Sequence, residues 1–414
     1  MRILATGLFL ISVAAPAAEP LPADCFGGPA AATPADIPAL AGRCPASHYL
    51  QLRLLGAARE AGDAASADAV LRRLAAMGYA PAAADAFAAL APLIGETEAA
   101  AFAGQAQAAR RPIEASIVLS HIPAEHRLVE GIAWDPVSRR LFASAVVGRY
   151  LLSLSEQGWA PVPDLGAGSL IGVAVDRPRQ LLWVASRVVE QTPSPEGAFR
   201  GLLAVDLESR RLVRRVAAPE GTGPGDIAIG PDGTVFASDP TGGGLYRLAP
   251  GAETMEAVVP PGRLRSPQGI AVAADGRRLY VSDYGRGIAI VDPESGTVAD
   301  LVPDAPMMLS GTDGLMLHGG DLIAIQNGTE PRRIVRIRLD AGGTRATALE
   351  VIEQAHREWG EPTIGQIDGD RLLYVSDAQW ERFGAGGRVT GEAPLRATAI
   401  RAVPLGPPPA SSAE

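Results

Sequence analysis

The chain has 414 residues, 47% hydrophobic and 20% charged, a composition that excludes a disordered protein and holds more material than one ordinary compact core. The formal net charge is −9, and all 37 basic residues are arginine. No basic stripe is available to track a phosphate backbone, which excludes nucleic acid as a partner.

Met1-Arg2, the apolar run Ile3 to Ala15 and the small residues Ala15-Pro16-Ala17-Ala18 have the pattern of a secretory leader over residues 1–18. The run is too short to cross a bilayer, so the mature chain is expected to be exported, periplasmic or secreted, without a transmembrane segment. A Pro- and Ala-rich connector follows over 19–46 and carries the two cysteines, Cys25 and Cys44. An oxidising compartment would let them pair. The alternatives are two free thiols or a lipid on Cys25, although Pro22-Ala23-Asp24 lacks the small residue a lipoprotein leader wants.

Residues 47–110 turn alanine- and leucine-rich with helical spacing. One segment runs from His48 through Glu60 and closes at Gly62-Asp63, a second from Ala67 to Met77 closes at Gly78, and a third covers Ala82 to Leu90. Paired helices with short Gly turns resemble tetratricopeptide-type hairpins, which bind partner proteins; a small helical cap on its neighbour is the plainer reading.

From residue 113 the pattern becomes short β-branched and aromatic runs separated by Gly, Asp and Pro. Six rows align: VEGIAWDPVSRRLFAS from Val129, IGVAVDRPRQLLWVAS from Ile171, GDIAIGPDGTVFASD from Gly225, QGIAVAADGRRLYVSD from Gln268, DGLMLHGGDLIAIQN from Asp313 and PTIGQIDGDRLLYVSD from Pro362. Each reads as a strand, a tight turn and a second strand ending in small or polar residues, the inner hairpin of a propeller blade. The row starts lie 42, 54, 43, 45 and 49 residues apart, which suits four strands per blade. The fold expected is mainly β: a six-bladed β-propeller over 113–404, preceded by the small α-helical region and followed by a disordered tail over 405–414. The sixth row shows one later strand only, near Arg396 to Val403, so Ile113 to His121 is expected to close the ring as its outer strand.

A propeller gathers the starts of its innermost strands around its axis on one face. The residues in that slot are Glu130, Ile171, Gly225, Gln268, Asp313 and Pro362, with Asp226 replacing the glycine of row three and Glu361 just before the slot of row six. Converging carboxylates beside an axial channel need a cation or protons to neutralise them, which points to a hard divalent metal. Taken singly, each acid could equally cap a strand end in solvent.

The Glu130-Gly131-x-x-Trp134-Asp135-Pro136 row, the Pro267-Gln268-Gly269 row with Asp275-Gly276, and Asp313-Gly314 resemble the senescence-marker-protein, gluconolactonase and luciferin-regenerating-enzyme family. That resemblance covers about residues 113–404 and implies a six-bladed propeller hydrolysing a sugar lactone or related ester around one divalent cation. Calcium is the first candidate, with zinc, manganese and magnesium as alternatives. It implies Glu130, Gln268 and Asp313 as ligands, with Asp313 also the general base. Gln268 stands where the family has Asn, and Gly225 where it has a substrate-binding Asn. A weaker resemblance to paraoxonases rests on Gly225-Asp226-Ile227 and Gly230-Pro231.

No G-x-S-x-G, H-E-x-x-H or G-x-x-x-x-G-K-[ST] motif occurs. The loop Arg187 to Arg200 is long enough to overhang the axis, and Arg187, Phe199, Gln326, Asn327 and Trp380 are candidates for a substrate rim. Two functions remain: a metal-dependent hydrolase acting on a small molecule, or an exported propeller that binds a ligand or partner protein without catalysis.

Overall fold

The computed structural model describes residues 25–26, 34–83, 86–162 and 165–406. The expected leader and most of the expected tail lie outside them. Leu405 does not belong to a loose tail: its amide donates to the Asp370 carbonyl at 2.7 Å and its carbonyl accepts from Arg336 at 2.6 Å. Among the described residues no helix is long and apolar enough to cross a membrane.

The six rows are the inner hairpins of six sheets arranged as a propeller. The first strands, from blade 1 to blade 6, are Val129–Asp135, Ser169–Asp176, Ile227–Ile229, Pro267–Val272, Thr312–His318 and Gly365–Asp368. The inner turns hold because an aspartate at the end of the first strand accepts amides of its own turn. Asp135 takes Val137 N–H at 3.2 Å, Asp232 takes Thr234 N–H at 2.9 Å and Asp275 takes Arg277 N–H at 3.0 Å. Blade 5 gains a fifth, two-residue strand, Val302–Pro303, which pairs parallel with Arg345–Gln354.

Ile117–Ile122 pairs antiparallel with Thr398–Pro404, so the outer strand of blade 6 precedes blade 1 in the chain and the ring has no open seam. Ile113 itself bridges Gln354 of blade 5. A polar network clamps this closure. Buried Glu353 accepts Ala115 N–H, Ser116 N–H and the Tyr374 hydroxyl at 3.1, 3.1 and 2.9 Å.

Apolar layers lie between neighbouring blades, as where Phe142 and Leu151 of blade 1 meet Leu170, Val184 and Leu203 of blade 2. The axis is left to polar groups. Next to it stands a ring of wholly buried serines near the ends of the second strands, Ser144, Ser186, Ser238, Ser282 and Ser376. Ser144 accepts Gly131 N–H at 2.9 Å and donates to the Ile171 carbonyl of blade 2 at 2.5 Å, and Ser282 donates to the Asp313 carbonyl of blade 5 at 3.3 Å. This is why the rows end in a small polar residue.

Among the described residues, five helices precede the propeller: α1 (Ile37–Arg43), α2 (His48–Ala61), α3 (Ala64–Ala76), α4 (Ala91–Ile94) and α5 (Glu96–Ala109). Ser47 caps α2 by accepting Leu50 N–H, Gly62 ends it in the left-handed region at φ 68°, and Asp63 caps α3. The third expected segment differs: Ala88–Leu90 is a single 3-10 turn. Helix α1 falls in the expected connector, and α5 went unread because it is mostly alanine with one large apolar residue, Phe102, so that no apolar stripe marks it. A disulfide joins Cys25 to Cys44, with Cα atoms 5.0 Å apart, and both pack against blade-4 residues including Ile270 and Val281.

The helices sit on the propeller face that carries the slot residues. Ser47 donates to the Gly285 carbonyl at 2.6 Å, Leu309 N–H to Ala46 at 3.1 Å, and Ala80 N–H to Glu330 at 2.7 Å, all at loops of blades 4 and 5.

Candidate active site at the propeller axis

Crowding of the first strands positions the site. A Cβ on Gly131 would meet the Ile171 carbonyl of blade 2 at 2.7 Å, and one on Gly269 would meet the Asp313 carbonyl of blade 5 at 2.5 Å. Glycine after the slot lets adjacent strands approach this closely, and the preceding side chain is left at the opening of the axis. The ring closes through Thr363, whose hydroxyl donates to the Glu130 carbonyl at 2.8 Å.

Four carboxyl groups, Glu130, Asp226, Asp313 and Glu361, meet there from blades 1, 3, 5 and 6, near enough that Glu130 feels the charge of the other three. Burial, then the charge of Asp313, push the Glu130 carboxyl well above the usual range, against the pull of the Trp380 indole. Burial, then Asp226 and Glu361, raise Asp313 to about 7, while Asn327 opposes the shift. Burial raises Asp226 to about 7 and also raises Glu361, the latter against Arg332.

One oxygen of each of three acids is anchored. Trp380 Nε1 donates to Glu130 Oε2 at 2.6 Å, Asn327 Nδ2 to Asp313 Oδ2 at 2.7 Å, and the Ile227 amide to Asp226 Oδ1 at 2.8 Å. The other oxygen is left for a ligand. Asn327 is itself oriented, because the Tyr284 hydroxyl donates to its Oδ1 at 2.9 Å. The next residue, Gly328, accepts the Tyr49 hydroxyl of α2 at 2.6 Å, and a Cβ there would collide with the hydroxyls of both tyrosines. A line of contacts therefore runs from α2 through Gly328 and Asn327 to Asp313. Tyr284 and Tyr49 escaped the sequence reading, since neither lies in a slot the rows define.

The other expected residues are placed as follows. Gln268 is the second residue of its strand, and its amide nitrogen donates locally to Ser266 at 3.1 Å. Asn327 and Trp380 face the acids as second-strand and loop partners. Gln326 is not at a rim: it is fully buried opposite Thr312, the position Asp283 takes opposite Pro267 in blade 4, donating to Met308 O at 2.8 Å and accepting from Arg333 at 2.7 Å. Its longer side chain turns into the wheel to reach those groups. Phe199 is not at the rim either, because it packs in the layer of blades 1 and 2 with the Arg215 guanidinium 5.3 Å above its ring. Arg187 is buried between blades 2 and 3, donating to Thr241 at 2.6 Å. The long loop does border the axis. Arg149 of blade 1 holds Pro193 O at 2.9 Å, and Glu190 O accepts the Gly386 amide of blade 6 at 2.8 Å.

Carboxyl oxygens are the ligand type a hard cation prefers. Among the described residues, however, no three His, Cys, Asp or Glu groups are gathered tightly enough to hold a metal ion.

A family model described as strictosidine synthase-like, N-terminal, matches residues 211–248, from the outer strand of blade 2 into blade 3. No curated protein matches the chain. Among solved structures, the chain is similar to a gluconolactonase from Xanthomonas campestris, at 20% identity over 72% of this chain and 92% of that one, with a TM-score of 0.48. It is similar also to a calcium-binding regucalcin from Agrobacterium tumefaciens, at 17% identity, 69% and 93% coverage and a TM-score of 0.45. A third is the aldose sugar dehydrogenase of Streptomyces coelicolor with bound PQQ, at 16% identity, 71% and 99% coverage and a TM-score of 0.45. Function is therefore argued from the site, because one propeller architecture hosts many chemistries.

Proposed function

We propose that the axial cluster is the active site of a hydrolase acting on a lactone or related ester of a small polar molecule. The observation that carries this reading is the set of four axial carboxyls, one of which, Asp313, is held at about 7 by its surroundings and oriented by Asn327. A general base works best with a pKa near the operating pH, where it is both substantially ionised and a competent proton acceptor. Asp313 Oδ1 takes a proton from a water molecule as that water attacks the ester carbonyl carbon. The acyl–oxygen bond then breaks, and the same carboxyl returns the proton to the departing alkoxide. Asn327, fixed by Tyr284, keeps Oδ2 occupied so that Oδ1 is the oxygen presented. The divalent cation that the resemblance of these rows implies would lie beside Glu130, which Trp380 clamps, and Asp313, and would polarise the carbonyl and neutralise the cluster. The resemblance of the Glu130, Gln268 and Asp313 rows to lactone-hydrolysing propellers supports the same chemistry.

The experiment is a panel of sugar and aliphatic lactones assayed with purified protein in calcium, zinc, manganese, magnesium or chelator. The reading expects cation-dependent hydrolysis that Asp313→Asn abolishes. A protein inert on every lactone and ester with every cation would leave the binding propeller as the correct account.

A further inference from the structure

The helical segment carries an apolar groove that opens to the surface. A cavity of about 590 Å³ lies between α2, α3 and α5, walled by Leu55, Leu71, Leu74, Phe87 and Phe102 among others. Leu71, Leu90 and Phe102 form a small buried cluster beside it, with Leu55, Phe87 and Ile94 packed against them. A groove of this size with a mostly apolar lining has the dimensions and chemistry that suit an apolar ligand.

Its position says what the occupant is attached to. Leu52 and Tyr79 line this cavity and also a second, more polar cleft of about 520 Å³ between the helices and blades 5 and 6. Tyr49, Arg332, His356 and Trp359 wall that cleft, and its floor includes Asn327, whose amide holds Asp313, and Gly360, which precedes Glu361. The apolar groove and the polar aromatic cleft thus share residues, and the cleft reaches Asn327, which bonds Asp313.

We propose that the substrate hydrolysed at the axis is amphiphilic: a lactone or ester whose polar ring lies between the acids and the cleft and whose alkyl or acyl chain extends into the helical cavity. The helices are then half of the binding site, supplying the surface that selects chain length. A chain of about ten carbons, at the ~30 Å³ that a small group occupies in a liquid, needs roughly half of the cavity. Transfer of each methylene out of water improves binding by up to about fourfold. This assignment rests on the hydrolytic reading of the axis, and its test separates the two.

Binding is measured directly with 11-(dansylamino)undecanoic acid, whose fluorescence rises in an apolar site, on the full chain, on Asp313→Asn, and on Ala75→Trp and Leu55→Trp, which fill the cavity from α3 and α2. Hydrolysis is measured with lactones whose side chains run from two to ten carbons. The expected result is saturable probe binding to the full chain and to Asp313→Asn, weakened at least tenfold in both tryptophan variants and competed by the long-chain lactones. The ratio of long-chain to short-chain kcat/KM should rise with each methylene in the full chain and flatten in the tryptophan variants. Probe binding with long-chain competition, but no hydrolysis at any length, would support the cavity assignment and sink the hydrolytic reading. Hydrolysis indifferent to chain length, with no probe binding, would overturn the cavity assignment alone. So would a self-associated protein whose helices, covered by a second copy, exclude the probe.

Discussion

The axis of the propeller and the interior of the helical segment are opposite solutions to holding space open. At the axis, first strands crowd until a Cβ on Gly131 or Gly269 would strike the next blade, and the remaining opening is filled with charge. Between the helices the packing leaves an apolar groove open beside the small cluster of Leu71, Leu90 and Phe102. The first arrangement fixes oxygen atoms to within a hydrogen bond, as chemistry requires; the second tolerates ligands of varied length, as an apolar chain requires. Tyr49 joins them, since it sits on α2 and bonds the loop that positions Asp313.

The comparison breaks most visibly at the chemistry. Asp313→Asn keeps the side-chain shape while removing the base, and should lower kcat by about 10²–10⁴-fold, read by lactone hydrolysis, with the circular dichroism spectrum unchanged. A residual rate close to the unaltered protein's would place the base elsewhere.

Packing offers the next contrast. Leu151→Ala, in the sealed layer between blades 1 and 2, should cost about 2–5 kcal/mol in urea unfolding. Leu55→Ala, at a wall that already faces the open groove, should cost less than about 1 kcal/mol. Equal losses would mean that the helical interior is as tightly packed as the blades. Reduction of Cys25–Cys44, which ties the start of the chain to blade 4, should lower stability by roughly 3 kcal/mol on the chain-entropy account. Thermal melts with and without reductant measure this.

Smallest is the link itself. Tyr49→Phe removes one hydroxyl donor to Gly328, a change of about 1 kcal/mol in stability. As a positioning residue, Tyr49 should show its loss as a severalfold fall in kcat with KM for a short lactone little changed. A fall in stability alone would make it structural only.

Much of this architecture is legible in the rows. Six aligned hairpins with short Asp- and Gly-containing turns specify the six blades, and the missing partner in the last row points to the strand supplied before the first. Glu130, Asp226, Asp313 and Glu361 could be named because a propeller converts equal positions in a repeat into neighbours in space. What the rows could not convey lies between repeats. Gln326 looked like a rim residue because it ends a row, yet in that slot a side chain points into the wheel. Phe199 was read as a lid residue from loop length, whereas its ring has an apolar layer to fill. Tyr49 and Tyr284 belong to no repeat, so the support they give Asn327 appears only once the helices are seated on the face.

The central claim is that the axial carboxyls are held protonated by burial and mutual repulsion until a cation replaces the protons. Asp226 and Asp313, each at about 7, are mostly protonated at pH 6 and mostly ionised at pH 8.5, so a cation that needs their ionised forms must release protons at the lower pH and few at the higher. Calorimetry of calcium addition in two buffers of different ionisation enthalpy counts those protons. The account predicts release of one to about two protons per calcium at pH 6, reduced in Asp313→Asn and nearly absent at pH 8.5. Calcium binding with no proton release at pH 6, or no binding at either pH, would contradict it.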